Sequence, residues 1–450
     1  MLDIRYIRQN PDKIREAAVK KRFTLDVDAL LALDDRRRQL QQELDGLRHE
    51  QKKAGEVIGQ LRGKGKKMGA APGESADAET QLADTMKRME EVKARSKALE
   101  EEAQKVQQEF DAVMLRVPQV PDDDAPVGKD DTENVEIKRV GEVRQFDFEP
   151  LDHVTLMTRL DMLDLDRGVK LAGTRNYVLK GYGALLHQAV LRLAIDMMVE
   201  RGFTFMTVPV LVRDAMMVGT GYFPGGEEQA YRCERDQMSL VGTAEVPLTA
   251  YLSDEILTED ELPKKFVAVS TCFRREAGAA GKDTYGLYRI HLFDKVEQVI
   301  ICRNDEATSI AFHQEILKNS EDLLAKLELP YRVVNVCTGD LGQGQVQKFD
   351  IETWMPSRKA YSETHSASRF YEYQARRLKL RYRQPAKGAT VEEPGQMAAV
   401  RFCHTLNNTV IASPRILIPL VELHQTRAGG IRIPKALQPY LGGREIIGEG

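Results

Sequence analysis

Two long stretches of this chain repeat apolar residues at alternating steps of three and four, a pattern that commits 64 residues to paired helices before any sheet is considered. The first runs through Leu30, Leu33, Arg37, Leu40, Leu44, Leu47, Gln51, Ala54, Ile58 and Leu61, broken only by Arg37 and Gln51. The second runs through Leu82, Thr85, Met89, Val92, Ser96, Leu99, Ala103, Val106, Phe110 and Val113, broken by Thr85 and Ser96. This spacing predicts two coiled-coil helices of about 48 Å each at 1.5 Å per residue. Between them, Gly63 to Ser75 holds four glycines and Pro72 and predicts a chain reversal, hence an antiparallel hairpin arm over residues 30–113. From Lys52 to Met68 the basic residues Lys52, Lys53, Arg62, Lys64, Lys66 and Lys67 face the single acid Glu56. A phosphate backbone would suit such a tip, although a merely solvated helix face fits the charges equally well.

With 450 residues and a net charge of −4, the chain is long enough for two or three domains and is not a generally basic nucleic-acid coat. Five cysteines, Cys233, Cys272, Cys302, Cys337 and Cys403, are odd in number and widely spaced, which predicts reduced thiols. The first residues carry no apolar targeting segment, and no run approaches eighteen apolar residues, so no membrane partner and a cytoplasmic location are expected.

Pro118, Pro121 and Pro126 among aspartates end the second helix and predict a linker over 117–131. The expected division is therefore residues 1–116, carrying the arm, and residues 117–450. In the second part, helices are predicted over 184–201 and 305–327, and strands over 203–212, 266–272, 296–302, 331–337 and 347–354. Pro209 marks the first strand as an edge or a boundary. Strands that follow one another without crossover helices predict a largely antiparallel sheet with helices packed on it, an α+β arrangement. No glycine-rich phosphate loop of the GxxxxGK or GxGxxG kind follows a strand, so a nucleotide would have to be held by side chains of the sheet.

The segment FRREAGAAGKDTYGLYRIHLFDKVE, Phe273 to Glu297, offers those side chains in one strand-loop-strand unit. An arginine at a strand end can hold a phosphate bidentately, and an aromatic ring on the returning strand can cover a purine. The competing reading is a charged hairpin with ordinary solvated ion pairs.

Taken together with MLDIRYIRQNPDKIREA at the start, VGTAEVPLTAYLSDEIL, CTGDLGQGQVQKFDIETW, YQARR and IRIPKALQPYLGG, this hairpin resembles the bacterial-type seryl-tRNA synthetases of class II over nearly the whole chain. The resemblance implies a class II antiparallel sheet, ATP-dependent activation of serine, transfer to the 3′ end of serine tRNA, a homodimer, and an arm that reaches the tRNA's long variable arm. It leaves open whether selenocysteine tRNA is charged too.

By the same resemblance, Thr243, Ala244 and Glu245 in VGTAEVP match the serine site, together with Arg274, Glu297, Asn407 and Thr409. Glu297 would receive the serine ammonium, and Asn407 and Thr409 would read the hydroxyl. Arg274 and Arg415 match the catalytic arginines at the α- and γ-phosphates. Arg275, Glu276, Phe293, Glu363, Thr364, His365 and Ser366 complete the implied ATP site, with adenine on Phe293 and magnesium on Glu363 and Ser366. A bland alternative for Thr243 is an N-cap of a helix through Leu248, Leu252 and Ile256; for Phe293 it is a core ring.

The chain departs from the family pattern at Ser362, where some members carry arginine, and at Ser413-Pro414, where many carry glycine. The polar segment 385–398 has no assigned role, and no His/Cys cluster suggests zinc. Two other classes compete: a ligase charging a carrier protein, which would lack the arm, and a non-catalytic RNA-binding paralogue, which would have lost site residues.

Overall fold

The structure, a computed structural model, describes residues 1–65, 72–278, 285–384 and 399–448. Lys66, Lys67 and the segment 385–398 lie outside the described residues, as does the side chain of Lys64.

Helices α1 (Val27–Gly65) and α2 (Pro72–Met114), of 39 and 43 residues, pair along their length. They are longer than the heptads alone predict, because helix continues into the glycine-containing segment on one side and restarts at Pro72 on the other. A proline at a first helical position gives up only a backbone donor that has no partner there. Every predicted seam residue from Leu30 to Leu61 and from Leu82 to Val113 is buried or half-buried. The break at Arg37 is accommodated: its guanidinium lies 4.6 Å from the Phe110 ring centroid and pairs at 2.9 Å with Asp34. The Asp34 carboxylate, shielded from solvent, also meets Arg8 at 3.3 Å and Arg38 at 3.4 Å, which offsets its desolvation.

The second compact unit comprises Met1–Asp3, Asp12–Phe23 and Pro118–Gly450. Its centre is an eight-stranded sheet. In chain order the strands are β1 (Val135–Val140), β2 (Thr204–Met206), β3 (Lys264–Phe273), β4 (Leu292–Cys302), β5 (Tyr331–Asn335), β6 (Gln347–Met355), β7 (Ala360–Tyr371) and β8 (His404–Ser413). Their order across the sheet is β1-β5-β6-β7-β8-β4-β3-β2, and every pairing is antiparallel except β2 with β3. The expected strand over 203–212 splits at Pro209: Thr204–Met206 forms the sheet edge, and Leu211–Arg213 joins a separate small sheet. Strands β1, β7 and β8 are additional to those read from the sequence.

Successive side chains of a strand point to opposite faces, and β4 shows what each face does. Val296, Ile300 and Cys302 enter the main core with helices α3 (Tyr182–Glu200), α4 (Glu306–Lys326) and α5 (Leu417–His424). Val299 and Ile301 enter a second core formed with Leu248, Leu257, Leu378 and Tyr382. On that second face only the far half of β4 is covered, which leaves the near half, from Phe293 to Glu297, to line a cavity.

Candidate active site

Phe293, Lys295 and Glu297 share one face of β4 and line a cavity of about 250 Å³. At about 3.4 Å per residue they lay out a ring, a cation and an anion over roughly 14 Å. On one side β8 supplies Asn407 and Thr409, the latter paired in register with Glu297. Beyond it β7 supplies Thr364, Ser366 and Ser368, with Ser368 opposite Asn407.

On the other side β3 ends at Phe273, and Arg274 continues the hairpin by donating its backbone N–H to His291 O at 3.0 Å. That anchor carries the Arg274 guanidinium to 5.2 Å from the Phe293 ring centroid, while Nε donates to Gly242 O at 3.3 Å. Glu276, in a left-handed backbone conformation with φ of 49°, turns its carboxylate to Arg289 at 3.1 Å and also lines the cavity. Arg415, just after β8, donates Nε to Tyr288 O at 3.2 Å and Nη1 to Glu363 O at 3.3 Å.

Glu245 opens a short helix, Glu245–Ala250, and Thr243 lies just before it; both line the cavity, and Thr243 Oγ1 accepts the Glu245 N–H at 3.1 Å. The longer helix considered through Ile256 does not form. Asp254 adopts a left-handed φ of 62° that ends the turn, and Ile256–Thr258 pairs with Arg381–Arg383 as a strand. Ala244 is buried in the core behind the site. Arg275 lies outside the lining, its guanidinium 5.7 Å from the Tyr231 ring and its N–H on Gln229 O. His365 is also outside it, buried beside Thr364 Oγ1 at 2.8 Å, and burial pushes its pKa down to about 4.

Sequence reasoning missed Tyr222, Tyr288, Lys295, Gln345 and Ser368, all in the lining. Lys295 was open to discovery, since it lies midway between Phe293 and Glu297 on the same strand face. Tyr222, Tyr288 and Gln345 come from loops, which leave no periodic trace. Among the arm positions named for tRNA, Lys52, Lys53 and Arg62 are exposed on α1.

The electrostatics divide the cavity. At one end Lys295 Nζ meets Glu297 Oε2 at 2.5 Å, and Thr409 Oγ1 lies 3.5 Å from the same oxygen. Burial and the neighbouring Glu297 push the Glu245 carboxyl up to about 7, against the opposing influence of Gln374, Lys295 and Arg274. At the other end, burial opposes ionisation of Glu363, but Arg415, Lys348, Arg274 and Arg289 outweigh it and hold that carboxyl below its ordinary range. Among the described residues, the buried Asn407 Nδ2 has no hydrogen-bond partner and is a donor waiting for an acceptor.

An antiparallel sheet with arginines, an aromatic ring and carboxylates on its open face fits the core of a class II aminoacyl-tRNA synthetase. The class II core domain of tRNA synthetases (G, H, P, S and T) matches residues 231–422, and the seryl-tRNA synthetase N-terminal domain matches residues 1–121. A prolyl-tRNA synthetase of Giardia lamblia, 14% identical with a TM-score of 0.52 over 64% of this chain and 55% of its own, shares the fold. A serine–tRNA ligase of Deinococcus radiodurans is 43% identical over 449 residues, covering 100% of this chain and 99% of that one. The seryl-tRNA synthetase of Pyrococcus horikoshii complexed with ATP superposes with a TM-score of 0.86 at 35% identity, covering 99% of each chain. The cytoplasmic serine–tRNA ligase of Naegleria fowleri with AMP gives 0.80 at 30% identity, covering 97% of this chain and 95% of its own. The chain belongs to the seryl-tRNA synthetases, ATP-dependent ligases that join serine to tRNA.

Proposed function

We propose that the β4 cavity holds serine at its Glu297 end and ATP at its Phe293 end, and that the arm holds the long variable arm of serine tRNA. The observation that carries this reading is the order ring, cation, anion along one strand face, with Arg274 beside the ring. Adenine stacks on Phe293, the α-phosphate meets Arg274, and the serine ammonium is received by Glu297 and Glu245. Lys295 balances those two acids while the ammonium is absent.

Asn407 Nδ2, and Thr409 Oγ1 beside Glu297, read the serine hydroxyl. A site that loses a hydrogen bond to a buried donor rejects alanine strongly, because the donor is left unpaired. The serine carboxylate oxygen attacks the α-phosphorus, the bond to the leaving pyrophosphate breaks, and Arg274 stabilises the charge that builds on the α-phosphate oxygens. Arg415 draws the γ-phosphate away from the attacking group. A ribose hydroxyl at the tRNA 3′ end then attacks the serine carbonyl and releases AMP. The residues at the Glu363 end need no general base, since the attacking carboxylate is already ionised.

Magnesium fits the donors present: Glu363, kept ionised by its cationic neighbours, and the Ser366 hydroxyl offer two hard oxygens facing the same cavity, and magnesium usually completes its shell with phosphates and water. When bound it would supply neutralisation of the triphosphate charge. A homodimer is supported by the apolar Leu185 and Val199 of α3 and Phe205 of β2, each exposed in the single chain. Sedimentation at micromolar concentration tests it, and a monomer would refute it.

Serine-dependent ATP–pyrophosphate exchange, followed by charging of serine tRNA, tests the whole reading. Exchange with serine and at least a hundredfold less with alanine is expected; equal exchange with alanine would overturn the assignment of Asn407 and Thr409.

A further inference from the structure

Gln374 lies outside the cavity, fully buried in the short helix Tyr373–Leu378, yet every polar atom of its amide is engaged. Its Oε1 accepts from Thr405 Oγ1 at 2.6 Å, while Nε2 donates to Thr220 O at 3.0 Å and to Glu245 Oε1 at 2.7 Å. The Thr405 hydroxyl and the Thr220 carbonyl together dictate which way the amide faces. A flipped amide would set its oxygen against both a carbonyl and a carboxylate. The N–H that reaches Glu245 is therefore presented by the protein itself, before any substrate arrives.

From this geometry we infer that Gln374 is the positioning residue of the serine site, aiming the Glu245 carboxylate into the cavity and favouring its charged form for the incoming ammonium. The inference rests on the reading of Glu245 as a serine-binding residue. A hydrogen bond given to a carboxylate favours its charged form. The other charged groups facing Glu245 are Glu297, which works against ionisation, and Lys295 and Arg274, which work for it. Without Gln374 the balance tips towards the protonated acid, which cannot hold an ammonium by charge.

The test is the pH profile of serine-dependent ATP–pyrophosphate exchange for wild type, Gln374→Met, Thr405→Val and Glu245→Gln. Gln374→Met should raise the KM for serine about tenfold at pH 7 and leave the KM for ATP unchanged. The acid limb of its kcat/KM for serine should move to higher pH, so that the defect shrinks as the pH rises above 8. That limb belongs jointly to Glu245 and Glu297. Thr405→Val, which only frees the amide, should shift both quantities in the same direction by less.

Equal changes in the two KM values, or an unmoved acid limb, would show a merely structural glutamine and overturn the inference. Should Glu245→Gln raise the serine KM while Gln374→Met does not, the inference alone fails. Should Glu245→Gln leave the serine KM untouched, the reading of the site fails and the inference falls with it.

Discussion

The arm and the sheet domain are built on opposite economies of burial. In the arm a single seam between two helices does all the packing, and from Gln51 to Leu61 and from Leu82 to Val92 that seam is only half-buried, because nothing described covers it from a second side. In the sheet domain the central strands are covered on both faces except where they line the cavity, and residues such as Ile300, Ile351 and Val410 have no solvent exposure. A one-seam element tolerates loss of any one contact and gains reach; a two-faced sheet is rigid enough to hold catalytic groups within fractions of an ångström. The sole tryptophan, Trp354, lies on β6, so its fluorescence reports the sheet domain while helical ellipticity weighs heavily on the arm.

Acid should separate the two most strongly. Burial pushes His313 down to about 3 and His365, His404 and His424 to about 4, from an ordinary 6.5, and all four lie in the sheet domain. Each is neutral in the fold and protonates on unfolding, so its contribution is fully present above pH 6.5 and is lost as pH falls towards the folded value. At pH 5 the loss is about 2 kcal/mol per histidine. The arm's one histidine, His49, is exposed. Urea titrations between pH 7 and pH 5 should show the Trp354 transition moving to much lower urea. A midpoint that holds constant would refute the buried neutral histidines.

Next in size is Arg274→Ala, expected to lower pyrophosphate exchange about a thousandfold, or about 4 kcal/mol in the transition state, with little change in folding stability. Arg274→Lys should recover little of it, since a point charge replaces a planar fork. A decrease under tenfold would remove Arg274 from the reaction.

Packing sharpens the contrast further. Ile300→Ala, in the main core, should cost about 3–4 kcal/mol by urea denaturation, whereas Leu82→Ala, on the half-buried part of the seam, should cost about 1 kcal/mol. Equal costs would mean that the outer seam is covered in solution.

These regions also differed in how readily their sequences could be read. The arm was legible because a period of three and four depends on neighbours in the same helix and on one partner of the same kind. Arg37 broke the pattern in the sequence but not in the structure, since Phe110 and Asp34 receive its guanidinium. Within the sheet domain, the strands with apolar runs were legible, but β7 and β8 were not. Ser362, Thr364, Ser366, Thr405, Asn407 and Thr409 dilute their apolar signal, and several of those residues line the cavity. Of the residues named through the family motifs, Thr243, Glu245, Arg274, Glu276, Phe293, Glu297, Glu363, Thr364, Ser366, Asn407, Thr409 and Arg415 line one cavity, while Ala244, Arg275 and His365 do not. Gln374 had no signal of its own, as its meaning depends on Thr220, Glu245 and Thr405, which only the fold assembles.

The smallest expected effect is the one that tests the division of labour most directly. Lys52, Lys53 and Arg62 are exposed on α1, and α1 belongs to a compact unit separate from the sheet domain. Replacing all three by alanine removes up to three phosphate contacts, which should raise the KM for serine tRNA about tenfold in 0.1 M salt and flatten its salt dependence by two to three in logarithmic slope. Pyrophosphate exchange, which needs only serine and ATP, should keep its wild-type rate, because none of the three side chains belongs to the unit that forms the cavity. A parallel fall in exchange would mean that the arm contributes to the chemistry itself. An unchanged tRNA KM would move the RNA contact away from these three side chains and towards Lys64, Lys66 and Lys67.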